Sequence, residues 1–334
     1  MSRLIQVISF IALTLLFSSC FKKDEMIPAH VRGNAVTDTI GMTDNYKYQV
    51  YYDLGDSLQV SRNAKTLFDL SFECSPDGWK ILLNTADFMK CADLGAVPFG
   101  QPRDTTGLKW KFDKSDGNPD SLAFGKWYQI NNNDTLSLNH VYLIDRGSDE
   151  NGITLGFRQF IVDSLRHGVY YFRYAGMNGS NAVSAVAAKD PSVNSVQFSF
   201  ASGSVVKLEP PKGGYDLLFT QYTTLLYTDL GEAYPYLVTG VLINPNEVEV
   251  AKDTLNEFSA ITFDIASSNT FSRSSDVIGY DWKYYSFSTG GYTVRQHLCF
   301  IIRDTQGFLY KLRFIGFYDA GGHKGYPVIE YQKL

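Results

Sequence analysis

Two aspartates, two histidines and three cysteines are the residues of this chain whose types and spacing could do chemistry. Asp69 and Asp216 each follow an aromatic residue inside an apolar run, in Leu67-Phe68-Asp69-Leu70 and Gly214-Tyr215-Asp216-Leu217. A carboxylate in such a place could act as a general acid or base, but neither has a partner at a shared spacing. A lone strand carboxylate instead accepts hydrogen bonds from nearby backbone or tryptophan N–H groups. His140 and His297 open matching apolar runs 157 residues apart. An imidazole can ligate iron or move a proton, yet no Cys, Ser or carboxylate constellation accompanies either one, so both read as strand-edge histidines. Cys74 and Cys91 could pair in an oxidising setting, leaving Cys299 odd; three buried thiols are the alternative. No CxxC spacing is present, so no metal site is expected. Nucleophile elbows, metal-hydrolase motifs, phosphate-cradling glycine loops and paired carboxylates are all missing, and the chain reads as non-enzymatic.

The elements that would position these residues come in two copies. HLCFIIRDTQGFLYKLRFIGFYD with KGYPVIEY, at the end of the chain, repeats HVYLIDRGSDENGITLGFRQFIVDS with HGVYYFRY, which starts at His140. In both, apolar and polar residues alternate around a short turn, the pattern of a β-hairpin. Phe308, Tyr310, Leu312 and Phe314 are expected on one face, with Lys311 and Arg313 on the other; Ile153, Leu155 and Phe157 repeat the first set, and Arg158 matches Arg313. The duplication extends to the openings, YKYQVYYDLGDSLQV from Tyr46 and VQFSFASGSVVKL from Val196. Each copy carries a Gly and a Trp before its closing hairpin, and Trp127 and Trp282 are expected to anchor the cores with their indole N–H groups satisfied. Helical spacing occurs only from Thr85 to Leu94. The fold class is therefore all-β, with two tandem antiparallel modules over 46–188 and 189–334. The irregular stretches 87–120, 237–246 and 264–276 are where binding loops are expected.

Of 334 residues, 44% are hydrophobic and 19% charged, with 22 Tyr and 23 Phe, a composition suited to half-buried strands. The net charge is −5 with no basic block, which argues against a nucleic-acid partner. Residues 1–19 have a basic start, an apolar run too short to span a membrane, and Leu16-Phe17-Ser18-Ser19 ahead of Cys20. This resembles the lipobox of bacterial lipoproteins, and the resemblance makes Cys20 the acylated mature N-terminus and the membrane the first partner. Residues 20–45 read as a polar tether. Its Lys22-Lys23-Asp24-Glu25 run is similar to the export tag of Bacteroidetes-type lipoproteins on the outer face of the outer membrane.

The opening strands, the aromatic-Asp strands, the Gly-to-Trp loops and the FIIRDTQGFLYKLRF hairpin together resemble the HmuY family of haem-binding surface lipoproteins. GYDLLFTQY, IGYDWKYY and KLRFIGFYDAGGHKGYPVIEY carry most of the resemblance, and QVYYDLGDSLQV, LFDLSF and GFRQF carry it in the first half. It implies an outer-membrane protein that takes up haem and passes it to a TonB-dependent receptor. The family's axial histidines or methionines are absent at the matching fingertip positions. The loop after Trp282 has Phe287 there, 267–278 has neither His nor Met, and the loop after Trp127 reads YQINNND. Met89, Met177, His167, His323 or a tyrosinate could ligate iron instead; the ligand-binding residues stay unassigned. Two readings follow: a carrier of haem or another flat hydrophobic ligand, or a structural β platform in a surface assembly. Tyr- and Phe-lined fingertips separate the first from a flat polar face.

Overall fold

Alternating side chains put one face of each strand in a core, and the closing hairpins show it most plainly. In the computed structural model, which describes residues 33–131 and 134–334, Cys299–Arg303 pairs with Leu309–Tyr318, which pairs in turn with Lys324–Lys333. The earlier copy pairs Val141–Asp145, Phe157–Arg166 and Val169–Gly176 in the same way. Tyr310, Leu312 and Phe314 enter one core beside Phe300 and Ile302. Phe308, expected with them, lies outside that core in the turn, under the Lys333 ammonium at 3.2 Å from its ring centre. Lys311, on the other face, is also buried, its ammonium donating to the carbonyl oxygens of Phe258 (2.6 Å) and Ile261 (3.2 Å).

The register of the two copies differs from the expected one. Leu143 faces Gln159 across its hairpin as Ile301 faces Lys311, so Gln159 answers to Lys311 and Ile161, not Arg158, stands in the place of Arg313. The cause is the longer first turn: pairing begins only at Phe157, which leaves Ile153 exposed and Leu155 outside the strand. The helix expected over 85–94 is a single 3-10 turn, Thr85–Asp87, capped by the Asn84 side chain. Phe88 breaks it in the left-handed region (φ 62°), and Lys90–Asp93 becomes a strand against Val141–Asp145. The one α-helix among the described residues is Phe263–Ser267, inside an irregular stretch.

The same order of elements occurs twice. An edge strand, Val36–Thr39 or Val183–Ala188, precedes an opening hairpin built on Tyr48–Asp53 or Ser195–Ser199. Next come Leu70–Glu73 or Leu217–Tyr227, then Lys90–Asp93 or Glu249–Asp253, a short hairpin after the tryptophan, and the closing strands. The opening segments are exchanged between the halves. Tyr48–Asp53 pairs with Leu217–Tyr227, and Ser195–Ser199 pairs with Leu70–Glu73. Likewise Val36–Thr39 adds to Lys324–Lys333, and Val183–Ala188 adds to Val169–Gly176. One core therefore holds Leu70, Phe72, Trp127, Phe160 and Phe172 with Phe198 from beyond the 188/189 boundary, and the other holds Val50 and Tyr52 with Phe219, Trp282, Phe300 and Tyr331. Residues 33–45, placed in the tether by composition, contribute an edge strand and the fully buried Ile40 and Met42. Cys20 and the leader lie outside the described residues.

Asp69 and Asp216 hold this exchange together. Asp69 accepts from the Phe200 N–H and the Arg146 Nε, both at 2.6 Å, and Asp216 accepts from the N–H groups of Leu54 (2.8 Å) and Thr305 (3.2 Å). Each carboxylate thus ties an exchanged hairpin to the closing turn of the other copy, the backbone-accepting role expected of a strand aspartate. Trp127 donates its indole N–H to the Trp79 carbonyl at 2.9 Å. Trp282 does not match it: it stacks on Phe314 at 3.8 Å, and its buried N–H has no partner among the described residues. Cys74, Cys91 and Cys299 are free, buried thiols.

Candidate functional site

Two hairpins of the second half carry exposed aromatic side chains. The first joins Leu217–Tyr227 to Ala233–Ile243 in unbroken register, with Tyr227, Leu230, Tyr234 and Tyr236 toward its tip. The second joins Lys283–Ser286 to Gly291–Val294 and bears Tyr284, Tyr285 and Phe287, the last 93% exposed. β-branched and aromatic residues favour such long two-stranded ribbons, and Tyr227, Tyr236, Tyr284, Tyr285 and Phe287 on them are exposed. Tyr234 and Tyr236 pack edge to face at 6.4 Å, as do Tyr285 and Phe287 at 5.2 Å.

Lys283 joins the two hairpins at their base. It is buried, and its ammonium donates to the Thr239 carbonyl on the first hairpin at 2.5 Å. The rings of Trp282 and Phe317 lie 4.3 and 4.8 Å from it, a cation–π setting. Burial lowers its pKa to about 7, opposed by Asp281. Tyr46, Tyr292 and Tyr318 gather around the same base, where the Tyr318 hydroxyl accepts from the Tyr292 N–H. Burial first and the neighbouring Tyr236, Tyr318 and Tyr285 phenols next push the Tyr292 hydroxyl above its ordinary range. The tips are thus a tyrosine-rich apolar surface over a single buried cation, able to pack a flat ring and to offer phenolic oxygens.

The histidines lie elsewhere. His140 pairs with Asp93 and His297 with Glu257, each at 2.9 Å, and His323 pairs with Asp319 at 3.0 Å. His167 occupies a left-handed turn between closing strands (φ 49°). Met89 is fully buried in the first core, and Met177 sits in a loop where its carbonyl accepts from Arg103 N–H and Gln159 Nε2. Among the described residues no group of three or more His, Cys, Asp or Glu is placed to hold a metal ion, and no helix is long and apolar enough to cross a membrane. Phe287 does stand at a hairpin tip, where the HmuY resemblance implies a fingertip. Tyr227, Tyr234, Tyr236 and Lys283 were not legible as site residues; the alternation in Leu237–Ile243 marks a strand but not how far its hairpin projects.

Bis-histidine ligation of haem does not fit this surface, since neither hairpin, 217–243 or 283–294, carries a histidine. Aromatic packing with a phenolic ligand does fit the residues present.

The family described as HmuY protein matches residues 45–331, a single match running through both halves. No curated protein matches the chain. Among solved structures, apo PinO from Porphyromonas gingivitis is 11% identical, with 90% of this chain and 97% of that one covered at a TM-score of 0.28. The apo HmuY analog of Tannerella forsythia (TFO) is 8% identical, covering 91% and 98% at a TM-score of 0.26. An HmuY-like protein from Bacteroides vulgatus is 14% identical, covering 52% and 90% at a TM-score of 0.22. Overlaps this loose carry no weight for function, and the assignment rests on the family match.

Proposed function

The chain belongs to the HmuY family, and from that premise we propose that it is a non-enzymatic, lipid-anchored protein of the outer membrane surface. It binds haem, or another flat hydrophobic molecule, between its two aromatic hairpins and yields it to a TonB-dependent receptor. The observation that carries this reading is the pair of hairpins with exposed Tyr and Phe tips, tied at their base by Lys283 and Thr239. A purely structural platform has no use for so much exposed aromatic area on projecting hairpins. Haem is the cargo here: ring packing on the tips would hold it, and the phenols of Tyr234, Tyr236, Tyr284 and Tyr285 would offer its iron oxygen ligands in place of histidine.

Titration of ferric haem into the protein, followed by absorption and resonance Raman spectra, tests this. The expected complex lacks a low-spin bis-histidine signature and weakens in Tyr236→Ala and Phe287→Ser variants. A tight low-spin bis-histidine complex, abolished by replacing His167, His297 or His323, would overturn it. The anchor at Cys20 is tested separately by detergent phase partitioning: Cys20→Ala should move the protein to the aqueous phase, and unchanged partitioning refutes acylation there.

A further inference from the structure

The exchange of opening hairpins leaves a cavity of about 530 Å3 between the two four-stranded sheets, lined from one by Ser71 and Gln197 and from the other by Gln49, Tyr51 and Leu218. That volume lies within the range of small-molecule sites, roughly 300–1,000 Å3. No residue of either aromatic hairpin tip lines it, so it is separate from the haem reading above.

Its chemistry is specific. Gln49 and Gln197 are 3% and 4% exposed, nearly as buried as core residues. The Gln49 amide nitrogen donates to Asn63 Oδ1 at 2.7 Å and that of Gln197 to Ser195 Oγ at 2.9 Å, while the carbonyl oxygen of each accepts from no described residue. Neither oxygen is sealed from solvent; both open into the cavity, where water or a ligand hydroxyl can donate to them. The resident charges are already engaged. Lys80 pairs with Glu73 at 3.3 Å, and the Glu209 carboxylate accepts from Asn194, Ser195 and Tyr215 at 2.8–2.9 Å. Neither an anion nor a cation would find a free buried counter-charge, and Lys212 is exposed at the edge. Tyr51 and Tyr215, edge to face at 4.9 Å, supply an apolar wall.

Acceptors open to the cavity suit a ligand that donates, engaged charges suit a neutral one, and the tyrosine wall suits the C–H face of a ring. We propose that this cavity binds a short neutral oligosaccharide, whose hydroxyls donate to Gln49 and Gln197.

Isothermal titration calorimetry of the full chain with maltotriose, cellotriose and triacetylchitotriose tests it. Binding of at least one is expected, weakened roughly tenfold by Gln49→Leu or Gln197→Leu, as for a lost neutral hydrogen bond, with haem titration unchanged. Should a leucine variant fail to fold, hydrogen exchange of the unmodified chain decides: the bound sugar must protect Tyr48–Asp53 and Ser195–Ser199. Binding of none of the three, equal binding by the leucine variants, or protection confined to other strands overturns the proposal and leaves a hydrated interface between sheets. Haem binding that survives such a result leaves the function proposed above intact.

Discussion

Replacing Lys65 with Met should destabilise the protein strongly above neutral pH and much less below it. Lys65 follows the first opening hairpin and is buried, as is Asp87, with Nζ and Oδ1 3.6 Å apart. The ammonium also donates to the Ala86 carbonyl (2.7 Å) and to Gln221 Oε1 (2.9 Å) on the strand of the other half. Asp87 Oδ2 accepts from Asn84 at 3.0 Å, but its Oδ1 has no hydrogen bond among the described residues, so Lys65 is its main compensation. Breaking a buried pair by removing one partner costs about 3–5 kcal/mol while the other stays charged. Burial pushes the Asp87 carboxyl up to about 7, with Lys65 opposing that rise. A folded pKa above the unfolded one means that the protonated form's contribution is complete below about pH 4 and is lost as pH rises through about 7. Without Lys65 the carboxyl rises further. At about pH 6 the variant therefore folds with Asp87 neutral and loses only hydrogen bonds, about 1–2 kcal/mol. At about pH 8, one unit above the old pKa, the loss is larger by up to about 1.4 kcal/mol, and it grows at that slope toward the full cost until the variant's own carboxyl ionises. Urea unfolding of wild type, Lys65→Met and the Lys65→Met, Asp87→Asn double variant at both pH values measures this, and the double variant should recover much of the loss at the higher pH. A loss below about 1 kcal/mol at both pH values, or no recovery in the double variant, would refute the reasoning.

Two further outcomes follow from single residues. Lys283 has a folded pKa of about 7, below its unfolded value, so the unfolded chain binds more protons between about pH 7 and 10 and stability should rise with pH in that window; thermal melts of Lys283→Met against wild type should show the rise missing from the variant. Trp127→Phe should cost about 1 kcal/mol more than Trp282→Phe, because only Trp127 donates a hydrogen bond, and equal unfolding midpoints would contradict that.

The candidate site was legible only in part, for a physical reason. Phe287 could be placed at a fingertip because the HmuY resemblance implies a ligand-bearing loop after Trp282. Lys283 could not be recognised as a buried cation, since its acceptor is the Thr239 carbonyl on a different hairpin. The same limit hid Lys65, whose partners lie on Thr85–Asp87 and on Leu217–Tyr227. A lysine in sequence carries no mark of the backbone oxygens that will surround it.

Alternation of side chains has a period of two and is a local property, so the all-β class, the closing hairpins and the recurrence of strands were determined by the sequence itself. Asp69 and Asp216 as backbone acceptors followed from what their neighbours lacked; His140 and His297 stand just ahead of strands as expected, but each has a carboxylate partner, Asp93 or Glu257, from a distant part of the chain that local spacing does not show. Tertiary structure decided the rest. Thr85 to Leu94 has helical spacing, but pairing of Lys90–Asp93 with Val141–Asp145 satisfies its backbone in a sheet instead. The exchange of opening hairpins is a choice of partner edge: Tyr48–Asp53 presents the same pattern to Leu70–Glu73 as to Leu217–Tyr227. Only the path of the intervening chain, with Asp69 and Asp216 tying each hairpin across, selects the distant strand.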